Sequence, residues 1–144
     1  MAAAEIPELI AHRGWASRYP ENTLESLEGA LDAGARFVEF DVQLSADDVP
    51  VLMHDATLDR TCESGGCVHD LPWSALAITG AGEPRRFGGA FEASRIPSLE
   101  QALECLLIRP DRKAFVEIKT ESLQRFGISR YRYYRARGQA GDRR

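Results

Sequence analysis

The run Phe37-Val38-Glu39-Phe40-Asp41-Val42-Gln43-Leu44 alternates polar and apolar residues with a period of two, the pattern of a half-buried β-strand. Successive side chains point to opposite faces of a strand. Glu39, Asp41 and Gln43 therefore share one face while Val38, Phe40, Val42 and Leu44 take the other. The two carboxylates stand roughly 6 to 7 Å apart along such a backbone. Like charges at that spacing repel unless a cation or a shared proton relieves them, and a hard metal ion held by oxygen ligands is the natural relief. A solvated edge strand with an ordinary polar face is the competing reading of a lone Glu-x-Asp pair.

Around this strand the chain alternates strand and helix. Leu9-Ile10-Ala11-His12 is a short apolar run ending at Arg13-Gly14. Asn22 suits a helix N-cap with Glu25 as its capping-box partner; Leu24, Leu27 and Leu31 share a face, and Gly34 suits the stop. Pro50 to Asp55 reads as a third strand after a turn at Ala46-Asp47-Asp48. Residues 56–96 are loose and glycine-rich, with one short helical stretch around Leu71 to Ile78, and a segment of that length reads as a small insertion over the C-terminal end of the sheet. Ser98 then caps a clearer helix with Gln101 in the box position and Leu99, Ala102, Leu103, Leu106 and Leu107 apolar, Pro110 ends it, and Ala114 to Lys119 is a fourth strand.

Strands separated by helices predict parallel pairing with right-handed crossovers. The expected class is thus α/β, a (β/α)8 TIM barrel of which this chain holds about the first four βα units, since such barrels usually need ~250 residues. Catalytic groups in that architecture sit at the C-terminal ends of strands. His12, Glu39, Asp41, His54, Glu117 and Lys119 all fall at or near such ends.

Taken in chain order, His12-Arg13-Gly14, Pro20-Glu21-Asn22-Thr23, Glu39-Phe40-Asp41-Val42, Val49-Pro50-Val51-Leu52-Met53-His54-Asp55, Leu58-Asp59-Arg60-Thr61 and Val116-Glu117-Ile118-Lys119 resemble the glycerophosphodiester phosphodiesterase (GDPD) family over residues 10 to about 121. The resemblance implies a TIM-barrel phosphodiesterase dependent on a divalent cation. It implies Glu39, Asp41 and Glu117 as metal ligands, His12 and His54 as the acid/base pair, and Arg13 and Lys119 as phosphate contacts. Substrates would be glycerophosphodiesters such as glycerophosphocholine or glycerophosphoethanolamine, cleaved to sn-glycerol 3-phosphate and an alcohol. The residue types suit this chemistry in their own right. Cations stabilise the charge of a phosphoryl transition state, and imidazoles exchange protons near neutral pH. Oxygen ligands favour Mg²⁺, Ca²⁺ or Mn²⁺ over zinc. The residues leave open which histidine is acid and which base, and whether water or a neighbouring substrate hydroxyl is the nucleophile.

Charge divides the chain unevenly. Residues 1–124 hold 11 Lys and Arg against 21 Asp and Glu, whereas residues 125–144 hold 7 Arg against one acid, Asp142. We therefore expect residues 1–124 to form a partial phosphodiesterase domain, and the Arg-rich tail to be disordered or out of frame rather than a nucleic-acid arm of Arg and Tyr. On that expectation the chain is a truncated or frame-shifted member, and a fragment that only binds a divalent metal or phosphate is one alternative function. Another is a phospholipase D-type enzyme of the same architecture, for which the insertion offers Trp73, Phe87 and Phe91 as lipid-facing groups. Residues 1–10 have no basic stretch followed by a long apolar core and no apolar run reaches membrane-spanning length, so we expect no secretory signal and, by default, a cytoplasmic location. Cys62, Cys67 and Cys105 are expected as reduced thiols, although Cys62 and Cys67 could close a small loop if oxidised.

Overall fold

The structure is a computed structural model of the chain and describes residues 7–127. Strand β2 (Phe37–Leu44) is its axis. Parallel to it run β1 (Ile10–His12), in register Ile10 to Phe37 and His12 to Glu39, and β4 (Lys113–Ile118), in register Phe37 to Lys113 and Asp41 to Glu117. The last residues of β2 pair with β3 (Pro50–Leu52), and this pairing is antiparallel, Val42 to Leu52 and Leu44 to Pro50.

The apolar face of β2 lies against two helices. Leu27, Ala30 and Leu31 of α1 (Leu24–Asp32) and Ala102 and Cys105 of α4 (Leu99–Leu107) close over Val38, Phe40 and Val42 in one core. Phe40 is fully buried there, and burying a large apolar side chain contributes about 1.5–3 kcal/mol. The insertion has a second core of its own. Val51, Met53, Leu58, Cys62, Val68, Leu76, Ala81 and Ile96 pack together beneath a 3₁₀ turn (Val68–Asp70) and two four-residue helices, α2 (Trp73–Leu76) and α3 (Pro84–Phe87).

The third strand corrects the expectation of four parallel βα units. Only residues 45–49 separate β2 from β3, and a parallel crossover needs a dozen residues or more, so the chain turns back as a hairpin. Three parallel strands and one returning strand result. The helical stretch expected around Leu71 to Ile78 is shorter, four residues in α2, and α3 was not foreseen. After Lys119 the chain forms α5 (Thr120–Phe126). Its Arg125 pairs with Asp70, so the first residues of the Arg-rich segment are helical; residues 128–144, with the rest of that segment, lie outside the described residues.

Helix α4 is capped by Ser98 and Gln101 as expected, though Leu103 and Leu107 of its apolar set are exposed. The cap of α1 falls one residue later than expected, on Thr23 with Ser26 as its box partner. Asn22 is unavailable for capping because its backbone is left-handed, φ +55°, and its side chain is engaged elsewhere. Neither β1 nor β4 has a second strand partner among the described residues. Exposed apolar groups gather near both, Leu9, Ile10 and Trp15 at one edge and Phe115, Val116 and Ile118 at the other.

Candidate active site

Strand register brings the predicted ligands together. His12 is opposite Glu39 and Asp41 opposite Glu117, and the polar face of β2 turns both of its carboxylates to the same side. One carboxylate oxygen each from Glu39, Asp41 and Glu117 lies within 4.8 Å of the others. Opposite ligands on one calcium-sized ion are separated by about twice 2.3–2.6 Å, so the three atoms can serve one cation.

Burial grades across the cluster. Asp41 is 1% exposed, Glu39 is half-buried and Glu117 is 54% exposed. Asp41 Oδ2 accepts from Asn22 Nδ2 at 2.9 Å and faces Arg13 Nε at 3.2 Å; its backbone N–H donates to Asn22 Oδ1 at 3.1 Å. Glu39 Oε2 accepts from the Arg13 backbone N–H at 3.1 Å and lies 3.7 Å from His12 Nε2. Two buried oxygens, Glu39 Oε1 and Asp41 Oδ1, accept no hydrogen bond. Buried carboxylate oxygens without a hydrogen bond are costly; Asp41 Oδ1 has only the Lys119 ammonium, 3.5 Å away, so both oxygens are open to a cation. Burial, with Asp41 and Glu117 as like-charged neighbours, raises the pKa of Glu39 against the Arg13 N–H that lowers it. Glu117 moves the other way, because Lys119 Nζ donates to it at 2.8 Å.

Arg13 and Lys119, the expected phosphate contacts, are here turned onto carboxylates. Arg13 reaches Asp41 and Glu21, and Lys119 reaches Glu117 and, at 3.5 Å, Asp41. Burial lowers the pKa of Lys119 and the two carboxylates more than reverse this. With Glu21 offset by Arg60, the three clustered carboxylates and the two cations sum to −1. A divalent cation would make it +1, which suits a singly charged phosphodiester.

The turn that carries Arg13 is strained by design of its contacts. Arg13 and Gly14 both have positive φ, +57° and +79°. A Cβ on Gly14 would stand 2.4–2.6 Å from atoms of Ser26, so only glycine lets β1 pass this close to α1. Arg13 O accepts from Asn22 N and Ser26 Oγ, which ties the strand end to the start of α1.

His54 arrives by the hairpin. Met53 N–H donates to Asp41 O, and Gln43 Nε2 donates to His54 O at 3.0 Å, so the returning strand delivers the imidazole back to the level of the carboxylates. Gln43 is itself fixed by Ser122 Oγ at 2.8 Å and by buried His69 at 2.9 Å. His54 Nδ1 lies 2.6 Å from Asp55 Oδ1. His12, by contrast, is 66% exposed.

Hydrogen bonds from Arg60 hold the Asp55 carboxyl down to about 2, against partial burial and with help from His54. A carboxyl depressed in the folded state stabilises the fold above its unfolded value, near 3.8, and loses that contribution as pH falls through about 2. The melting-temperature gap between wild type and Asp55→Asn is therefore expected to be widest above about pH 4 and to close toward about pH 2. A gap that stays constant through this window, followed by circular dichroism, would show that the charge of Asp55 is not its source.

All three clustered carboxylates are visible in the sequence, whereas the groups that support them are not. Asn22 suits a helix cap by sequence alone, and Glu21, Asp55 and Arg60 stand in the motifs beside the ligands with no local pattern that marks their task. Their signal was the occurrence of polar residues in fixed motifs beside the ligands. The three cysteines are free; Cys62 and Cys105 are buried, and burial pushes the Cys62 thiol up to about 11.

Fold and site together define a class: an α/β chain with an acidic, imidazole-flanked cluster at the carboxyl ends of parallel strands. The sequence profile of the glycerophosphoryl diester phosphodiesterase family matches residues 12–139, and the chain belongs to that family. It is 40% identical over 111 residues to glycerophosphodiester phosphodiesterase 1 of Mus musculus, covering 76% of this chain and 33% of that protein. It is 37% identical over 114 residues to a glycerophosphodiester phosphodiesterase of Caldanaerobacter subterraneus, covering 79% of this chain and 45% of the relative. Among solved structures it resembles an Oleispira antarctica phosphodiesterase in complex with the product sn-glycerol-3-phosphate, with a TM-score of 0.77 and 35% identity over 88% of this chain and 50% of the other. The chain thus spans between a third and a half of the length of these proteins.

Proposed function

We propose that the site hydrolyses glycerophosphodiesters to sn-glycerol 3-phosphate and an alcohol, in lipid and glycerol metabolism, on a TIM-barrel framework. The observation that carries this reading is the cluster of Glu39, Asp41 and Glu117, two of whose buried oxygens accept no hydrogen bond, flanked by Arg13, Lys119, His12 and His54. These carboxylates would hold Mg²⁺, Ca²⁺ or Mn²⁺, which supplies Lewis-acid stabilisation of phosphoryl oxygens when bound. Arg13 and Lys119, held beside the same carboxylates, would bring positive charge to a bound phosphate. One histidine takes the proton of the attacking hydroxyl as the new P–O bond forms; the other gives a proton to the alkoxide as the old one breaks.

The deciding assay measures sn-glycerol 3-phosphate released from glycerophosphocholine with Mg²⁺ or Ca²⁺, and again with EDTA. Release that stops on chelation is expected; an unchanged rate would sink the metal assignment. Glu39→Gln keeps shape and removes charge, so it should weaken cation binding by more than about tenfold with little change in melting temperature. Unaltered affinity by calorimetry would remove Glu39 from the ligand set. A second reading, cation or phosphate binding without turnover, is favoured by the exposed apolar residues along β1 and β4, and calorimetric binding without product release would select it. A phospholipase D-type activity has less support, because Phe87 and Phe91 pack edge to face on each other and are half-buried.

A further inference from the structure

Four hydrogen bonds leave one guanidinium. Arg60, in the insertion, presents its Nε/Nη2 edge to Asp55 (2.7 Å to Oδ2, 3.1 Å to Oδ1) and its Nη1/Nη2 edge to Glu21 (3.0 Å to Oε2, 2.6 Å to Oε1). Both forks are bidentate, the arrangement that gives an arginine geometric control over planar partners. Each carboxylate has one further cationic or imidazole partner, and each of those is a residue of the site. Asp55 Oδ1 meets His54 Nδ1 at 2.6 Å, and Glu21 Oε1 meets Arg13 Nη1 at 3.1 Å.

We propose that Arg60 is a positioning residue that locks His54 and Arg13 into one frame, fixing the proton-transfer nitrogen and the Arg13 guanidinium relative to each other. This rests on the phosphodiesterase reading for its purpose, and on the geometry for its substance. An ionised carboxylate only accepts, so Asp55 requires Nδ1 of His54 to carry the proton. That leaves His54 Nε2 as the atom that exchanges a proton with substrate. Glu21, only 9% exposed, keeps the Arg13 fork aimed through its own anchorage, since its backbone N–H donates to the buried carboxylate of Glu83. Despite burial, Arg60 and Arg13 hold Glu21 below the usual glutamate range, consistent with a charged bridge between two cations. Solvent screens the pairs of Arg60, which is 45% exposed, so the network's contribution to stability is modest. Its effect is orientational. An angstrom of misplacement in a catalytic group costs rate far more than it costs stability.

The experiment compares the full chain with Arg60→Gln, Arg60→Lys and a control, Arg36→Gln, whose ion pair with Glu8 is remote from the site. Imidazole ¹⁵N shifts read the tautomer of His54 directly. The Nδ1–H form is expected in the wild type and in Arg36→Gln, and a shift toward Nε2–H in Arg60→Gln. In the glycerophosphocholine assay Arg60→Gln should lower kcat by about 10- to 100-fold and raise KM. Arg60→Lys keeps the charge but cannot form two forks, so it should recover only a minor part of the loss. An unchanged His54 tautomer in Arg60→Gln overturns the proposal, as does a kcat and KM within twofold of wild type. A wild-type chain without turnover would instead overturn the phosphodiesterase reading, and the tautomer measurement would still decide the role of Arg60.

Discussion

Replacing His54 by alanine is expected to lower the rate of sn-glycerol 3-phosphate release by about 10² to 10⁴-fold, the usual contribution of a positioned general acid or base. The structure lets this be read as chemistry rather than damage. The His54 backbone is held by Gln43, and its imidazole is partly exposed and bonded outward to Asp55, so removing the ring opens no cavity in either core. The loss should therefore fall on kcat, with the melting temperature nearly unchanged, and one limb of the pH–rate profile should disappear with it. His12→Ala should behave similarly, since its ring is largely exposed and touches only Glu39 among the ligands. Either variant turning over within about threefold of wild type would remove that histidine from proton transfer.

The legible parts of this molecule were those set by period and local chemistry. Alternation along Phe37–Leu44 specified which side chains meet the helices and which meet the site, and both outcomes follow from a backbone repeat that nothing distant alters. Ser98 and Gln101 were legible for the same reason, a cap being satisfied within four residues. The direction of β3 was not, because a strand's apolar residues look alike whichever way it runs; the short loop before it was the informative feature. Asn22 misled for a different reason. Asn serves equally as a cap and as a left-handed turn residue with a free amide, and what decided between them was Asp41, a residue 19 positions away in sequence. The same holds for Arg60, whose two partners lie 5 and 39 positions off. Site carboxylates were visible one strand at a time, whereas the groups that aim them are joined only by the fold.

Asn22→Ala is expected to be the most destabilising of these site substitutions, by about 2.5–5 kcal/mol. Two costs add. Losing the hydrogen bonds of a buried charged partner costs about 1.5–3 kcal/mol, and placing alanine at a φ of +55° costs about 1–2 kcal/mol more. Asn22→Gly removes the second cost and keeps the first, so the difference between the two variants in urea denaturation isolates the backbone part. The first cost depends in part on the charge of Asp41, which is 1% exposed and has one oxygen that accepts no hydrogen bond. In an Asp41→Asn background the charge-dependent part falls away while the backbone part and the lost acceptor of the residue-41 N–H remain, so Asn22→Ala should cost about 1.5–3.5 kcal/mol. Equal costs in the two backgrounds would mean that Asn22 supports the turn and the residue-41 N–H but does not compensate the buried carboxylate. A coupled result would assign it both tasks: it compensates the Asp41 charge through one side-chain amide, and its left-handed backbone sets the direction in which α1 leaves the site.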